Sequence, residues 1–132
     1  MTASAVSFAR ILEPTTLGTL SLRNRVVLVP MGTEMGDADG YLTDREVAYY
    51  AERAKGGAGL VCTGINAVTD DYETINKGLG RVDSDAATPG LRKLADAVHA
   101  VGGAVSVQLT AGLGRNINVV DPSRPPISAS DN

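Results

Sequence analysis

The chain of 132 residues has no tryptophan, one phenylalanine, one histidine and one cysteine. Each scarcity removes a class of function. Aromatic residues at 4% leave no platform for stacking bases or sugars. A lone Cys62 cannot close an internal disulfide, which fits a reducing cytoplasm. His99, the one histidine, sits at the edge of its helix's apolar stripe and reads as a partly exposed structural residue; its helix offers no partners for a metal site, and no Ser-His-Asp set is assembled around it. Acidic residues number 15 against 12 basic, a net charge of −3, so nucleic acid and acidic membrane surfaces find no electrostatic partner here. No apolar run approaches the roughly 20 residues that span a bilayer. Met1 to Arg10 also lacks the apolar centre of an export signal. The expectation is a cytoplasmic protein that binds neither nucleic acid nor membrane.

What is present is 43% apolar residues, enough for one domain with a real core. Residues 17–22 alternate apolar and polar and predict a short hairpin leading into a valine-rich strand over 25–31. A continuous apolar run of that kind suits a parallel strand covered on both faces. Thr43-Asp44-Arg45-Glu46 has capping-box spacing, with Glu46 reaching back to the Thr43 amide. Val47, Tyr50, Ala51 and Ala54 then form one helical stripe, closed by Gly56-Gly57. A second strand is expected over 59–65, followed by a long loop from Asn66 to Ala87. A second helix is expected from Thr88-Pro89, with threonine as the cap and a stripe of Leu91, Leu94, Ala95 and Val98. A third strand follows over 104–109. The order βαβαβ implies a parallel sheet with right-handed crossovers, the opening of a doubly wound sheet or of a (β/α)8 barrel. A whole barrel takes about 250 residues, so this chain would be half of one or less.

Few residues carry a chemical signal of their own. Gly112-Leu113-Gly114 follows a strand, but Ile117 stands where a dinucleotide fingerprint needs its third glycine. Cys62 lies between apolar neighbours and reads as an inert thiol. Asp70, Asp71, Glu73, Asp83 and Asp85 lack the spacing of a calcium loop. Asp37, Asp39 and Gly40 read as a turn. Gln108 is different. A neutral amide near the end of an apolar strand either pairs with backbone or meets a ligand, and the strand alone leaves both open.

Several segments together resemble the old yellow enzyme family of flavin oxidoreductases. They are Leu17 to Val27, Pro30-Met31-Gly32-Thr33, Asp39 to Thr43, Tyr49-Tyr50 with Arg53 to Gly57, Gln108-Leu109 with Gly114-Arg115, and Arg124 to Ser130. The likeness runs from about Leu12 to Asn132 and is nearest to the enoate and dienoyl-CoA reductases. It implies that residues 1–132 are the N-terminal portion of a single FMN-binding TIM (β/α)8 barrel domain. That portion is about three βα units plus an N-terminal hairpin, incomplete on its own. It implies a flavin-dependent NAD(P)H oxidoreductase of ene-reductase type, passing hydride from reduced FMN to an activated C=C. Pro30, Met31 and Gly32 would pack on the flavin ring, Gly64 and Ile65 would bring backbone near it, and Gln108 would bind its pyrimidine edge.

Two departures from the family pattern stand out. Gly32 occupies a position where many members carry Thr or Cys, and Thr110-Ala111-Gly112 replaces the usual histidine-led loop. No catalytic residue and no metal ligand falls within this chain. The proton donor and the phosphate site would lie downstream, as would the cysteines of a 4Fe-4S cluster if one exists. The implied partners are a complementary polypeptide carrying the other strands and a small alkene substrate, in an oligomer, with the isolated chain inactive. The competing reading is a stand-alone non-catalytic α/β binding or assembly module.

Overall fold

Valine-rich runs become parallel strands here because helices cover one face of the sheet they form. The computed structural model describes residues 8–69, 79–112 and 123. A short helix α1 (Ala9–Leu12) precedes an antiparallel hairpin of β1 (Thr15–Leu17) and β2 (Leu20–Leu22). Gly18 turns that hairpin at φ +59°, a left-handed conformation that glycine adopts without strain. Then come β3 (Val27–Leu28), α2 (Asp44–Lys55), β4 (Leu60–Ala67), β5 (Gly80–Arg81), a 3-10 turn (Asp85–Ala87), α3 (Thr88–His99) and β6 (Ala104–Thr110). The βαβαβ order is as the sequence predicts. β4 pairs in parallel with β3 (Val27↔Leu60), with β6 (Leu60↔Ala104) and, near its end, with β5 (Asn66↔Gly80).

Helices α2 and α3 lie on one face of this sheet. Val47, Tyr50 and Ala54 of α2 meet Leu94 and Val98 of α3 over Val61, with Leu28 and Val105 packed at the margin. Leu94 and Val98 are almost fully buried, and each such side chain stabilises the fold by about 1.5–3 kcal/mol. The opposite face is bare: Val27 and Ser106 are exposed, and Cys62 is only half-buried. Among the described residues β3 and β6 each pair with β4 alone, so neither outer edge has a strand beside it. No helix among the described residues is long and apolar enough to cross a membrane.

Arg23 and Asn24 lock the N-terminal end of the sheet. The Arg23 guanidinium donates to the carbonyls of Val101 (2.8 Å), Ala58 (2.9 Å) and Ala54. These acceptors lie at the ends of α2 and α3, where helix dipoles favour a cation. Asn24 is buried; its Nδ2 donates to the Gly57 carbonyl at 2.7 Å and its Oδ1 accepts from the Val26 amide at 3.0 Å.

Three expectations need correction. The first strand is shorter than 25–31, because Pro30 has no N–H to give and the backbone of Met31 and Gly32 packs against Gly64 instead of a ladder. The span from Asn66 to Ala87 is not all loop: β4 continues to Ala67, and β5 pairs with that extension. Thr88 is not the cap of α3; the 3-10 turn runs straight into the helix, which leaves Ala87 at the cap and no side-chain cap bond. Gly114-Arg115, Arg124 to Ser130 and the acids Asp70, Asp71 and Glu73 lie outside the described residues.

Asn24→Ala should lower the folding free energy by about 1–3 kcal/mol, because it removes the partner of the Gly57 carbonyl and of the Val26 amide. The urea denaturation midpoint of the folded protein measures this, and an unchanged midpoint would contradict the clamp.

Candidate functional site

The candidate site forms where β3, β4 and β6 end together at their C-terminal edge. Beyond β3 the chain runs extended through Pro30, Met31 and Gly32, all exposed, and Met31 is 58% accessible. This segment leans on β4. A side-chain carbon added at Gly64 would stand 2.7 Å from the Met31 carbonyl oxygen and 3.0 Å from the Gly32 Cα. Only glycine permits so close an approach of two backbones. At Gly32 the nearest atom to such a carbon is Leu79 Cδ2 at 3.6 Å, so that position has room.

A register shift in β4 between Cys62 and Ile65 re-aims the strand at the same place. The side chains of Thr63 and Asn66 fill the gap in the ladder. Thr63 Oγ1 donates to the Gly64 carbonyl at 2.9 Å and accepts from the Gln108 amide at 3.2 Å and from Asn66 Nδ2 at 3.0 Å. Asn66 Nδ2 also donates to the Gly64 carbonyl at 2.9 Å. These bonds span the irregularity, which sets Ile65 directly beside Gln108. The sequence reading expected Gly64 and Ile65 at a strand end; they sit inside the strand, at its bulge.

Gln108 is exposed rather than buried, and its side-chain amide pairs with no group among the described residues. Met31, Gly32 and Gly64 meet in direct contact, and Ile65 with Gln108 continues the same surface across the adjacent strands.

A polar cluster that the sequence reading missed lies behind this wall. Thr43 caps α2 as expected, accepting from the Glu46 amide at 3.3 Å, and it donates to the Met35 carbonyl at 2.7 Å. The return half of the capping box does not form. Glu46 turns inward, is 6% exposed, and accepts from the Thr33 hydroxyl at 2.6 Å. Tyr50, 1% exposed, accepts from the Gly64 amide at 2.9 Å. Burial pushes the Glu46 carboxyl above its ordinary pKa, while the nearby hydroxyls of Thr33 and Tyr50 act in the opposite sense. Burial likewise raises the Tyr50 pKa, and the hydrogen bond from Gly64 opposes it. Polar Thr63 and Asn66 within an otherwise apolar strand were the one signal of this cluster in the sequence.

Other singled-out residues stand apart. His99 is exposed at the end of α3, and no group of metal-binding side chains occurs among the described residues. Cys62 accepts from the Ser106 hydroxyl at 3.4 Å. Asp37 Oδ1 accepts from the amides of Asp39 and Tyr41, both at 2.9 Å, which makes this segment the expected turn.

Comparison with known proteins gives this geometry its context. Residues 10–132 match the sequence pattern of the NADH:flavin oxidoreductase / NADH oxidase family. The chain is 41% identical over 101 residues to a metal reductase of Desulforamulus reducens, covering 74% of this chain and 14% of that protein. It is 38% identical over 114 residues to a cinnamate reductase of Clostridium sporogenes, covering 78% and 16%. The old yellow enzyme of Trypanosoma cruzi superposes with a TM-score of 0.73 at 33% identity, covering 89% of this chain and 30% of that one. The chain thus spans less than a fifth of these two curated relatives and under a third of that solved neighbour. Its fold is the first part of a (β/α)8 barrel, without closure.

Gly64→Ala should cost about 1–3 kcal/mol of stability, because the added methyl drives β4 and the Met31 turn apart. Gly32→Ala should stay within about 0.5 kcal/mol. Thermal denaturation of both variants checks this, and equal effects would contradict the packing described.

Proposed function

Because the chain belongs to the NADH:flavin oxidoreductase / NADH oxidase family, we propose that residues 1–132 are the N-terminal portion of a single FMN-binding barrel domain. In that barrel they form one wall of the flavin site of an NAD(P)H-dependent ene-reductase. The observation that carries this reading is the convergence of Met31 and Gly32, Gly64, and Ile65 with Gln108 toward the C-terminal side of three adjacent parallel strands, just beyond β3 and at the bulge of β4. That is the end of a barrel where active sites are built.

The residues present fit an isoalloxazine on two counts. The Met31–Gly64 approach yields a wall of bare backbone with no side chain between the strands, suited to a flat ring. Gln108 carries an amide with two donors and one acceptor and with no partner among the described residues, suited to the ring's mixed polar edge. Bound FMN would supply hydride chemistry between NAD(P)H and an activated C=C. This chain's own share is positional. Pro30, Met31 and Gly32 pack beside the ring, and the N–H groups of Met31 and Gly32, which pair with no group among the described residues, can face it. Gly64 and Ile65 keep backbone close, and Gln108 fixes the ring's orientation. With no side chain at Gly32, any tuning from that position comes from backbone or from Thr33. We assign no catalytic group to this chain; proton donation and substrate binding belong to the remaining barrel.

That remainder, carried on the same or a complementary polypeptide, would cover the exposed face of Val27 and Ser106 and pair with the free edge of β6. Small activated alkenes are the proposed substrates, in line with the cinnamate reductase relative. Two outcomes follow. The isolated 132-residue chain should bind FMN weakly and turn over no alkene, and addition of the remaining barrel should restore yellow colour and NAD(P)H oxidation. Tight FMN binding with turnover by the isolated chain would refute the division of labour. In the complete barrel, Gln108→Ala should weaken FMN binding by about tenfold, the scale of a hydrogen bond or two; flavin fluorescence titration measures it, and an unchanged affinity would remove Gln108 from the site.

A further inference from the structure

We propose that Glu46 is a positioning residue of the flavin site, its ionised carboxylate binding the Thr33 turn and, through Tyr50, the Gly64 amide into one network behind the flavin-facing backbone. The inference rests on the FMN reading above.

The argument is an account of donors and acceptors. Thr33 follows Gly32 in the chain, and its hydroxyl donates to Glu46 Oε1 at 2.6 Å. Glu46 Oε2 is buried and has no hydrogen-bond partner. Tyr50 lies four residues further along α2, on the same face as Glu46. Its oxygen already accepts from the Gly64 amide. Its hydroxyl stands near both the Glu46 carboxyl and the Thr33 hydroxyl. The Glu46 carboxyl and the Tyr50 hydroxyl thus stand beside one another, one helical turn apart, and Oε2 is the acceptor still without a partner. A Tyr50 O–H directed at Oε2 gives that buried oxygen its partner. The completed chain runs from Gly64 N–H to Tyr50 to Glu46 to Thr33, and it couples the β4 side of the wall to the Met31–Gly32 side.

A glutamate in the first turn of a helix ordinarily faces solvent and complements the dipole. Glu46 gives up that position for a desolvated one with no cation paired to it among the described residues. The surrounding charges do not compensate. Glu34 on the turn, and Asp44 and Arg45 on α2, are exposed. Tyr49 is half-buried beside Tyr50, and Lys93 of α3 is held at 2.5 Å by Asp44. β4 offers no charged residue between Leu60 and Ala67. What the site gains from Glu46 is therefore geometry.

This arrangement separates site order from fold stability. Burial raises the Glu46 pKa above its ordinary 4.5, so the folded chain holds that proton more tightly than the unfolded chain does. The contribution to stability is fully present below the unfolded pKa and is lost as pH rises through the folded one. Site order runs the other way. Protonation removes the negative charge that strengthens the hydrogen bonds Glu46 accepts, so acidification loosens the wall while it steadies the fold.

The test uses the complete barrel with FMN, comparing wild type, Glu46→Gln and Thr33→Val by flavin fluorescence titration and urea denaturation between about pH 7 and pH 5. Relative to Glu46→Gln, wild type should lose FMN affinity on acidification while its denaturation midpoint rises. At pH 7 both variants should bind FMN about tenfold more weakly than wild type. Equal affinity with equal pH slopes in wild type and Glu46→Gln would overturn the proposal, as would affinity and stability moving in the same direction. Should Glu46→Gln fail to fold, Thr33→Val decides, with unchanged affinity counting against. Failure of the wild-type barrel to bind FMN at any pH would instead sink the functional reading on which the proposal stands.

Discussion

The fold depends on β4 having a neighbour at each edge. Its parallel ladders with β3 and β6 fix the spacing of the sheet, and its buried face is where α2 and α3 come together over Val61. The strand could have been regular throughout. It breaks register near its C-terminal end, and Thr63 and Asn66 supply the hydrogen bonds that the backbone gives up there. That one irregularity frees the Gly64 amide for Tyr50 and aligns Ile65 with Gln108. Strand pairing and site construction are therefore the same event, carried out by the same residues.

Much of this was legible in the sequence because it is written in short-range periodicity. The stripes Val47-Tyr50-Ala54 and Leu94-Val98 predicted both helices and the faces they bury, and the valine-rich runs predicted parallel strands. The candidate wall was legible through family likeness rather than periodicity: nothing in the pattern of Pro30-Met31-Gly32 announces contact with Gly64, which lies 32 positions further along. Glu46 was misread for an instructive reason. Capping-box spacing is a local rule, and it describes Thr43 correctly. The carboxylate had a better partner in Thr33, thirteen residues earlier, which local spacing cannot reveal. The short length of β3 and the existence of β5 were hidden for the same reason, since both depend on what the neighbouring backbone leaves available.

The site also divides cleanly by rigidity. Gly64 admits no side chain, and both its amide and its carbonyl are hydrogen-bonded by side chains. Gly32 has space, and the Gln108 side chain is unrestrained by any described neighbour. A fixed floor with adaptable elements at its margin suits a large planar cofactor, whose ring needs one firm plane while its polar edge needs a side chain able to follow it.

Arg23 has a consequence for the order in which the chain assembles. Its acceptors lie 31, 35 and 78 residues further along, at Ala54, Ala58 and Val101. During synthesis the guanidinium exists well before any of them. The first helix–strand unit can dock on it as soon as Ala54 and Ala58 emerge, and the second must wait for Val101. Each successive unit is thereby gauged against the same fixed cation rather than against its predecessor alone. An error of register in the first unit is exposed when the second arrives, because one guanidinium cannot satisfy both helix ends unless both are correctly seated.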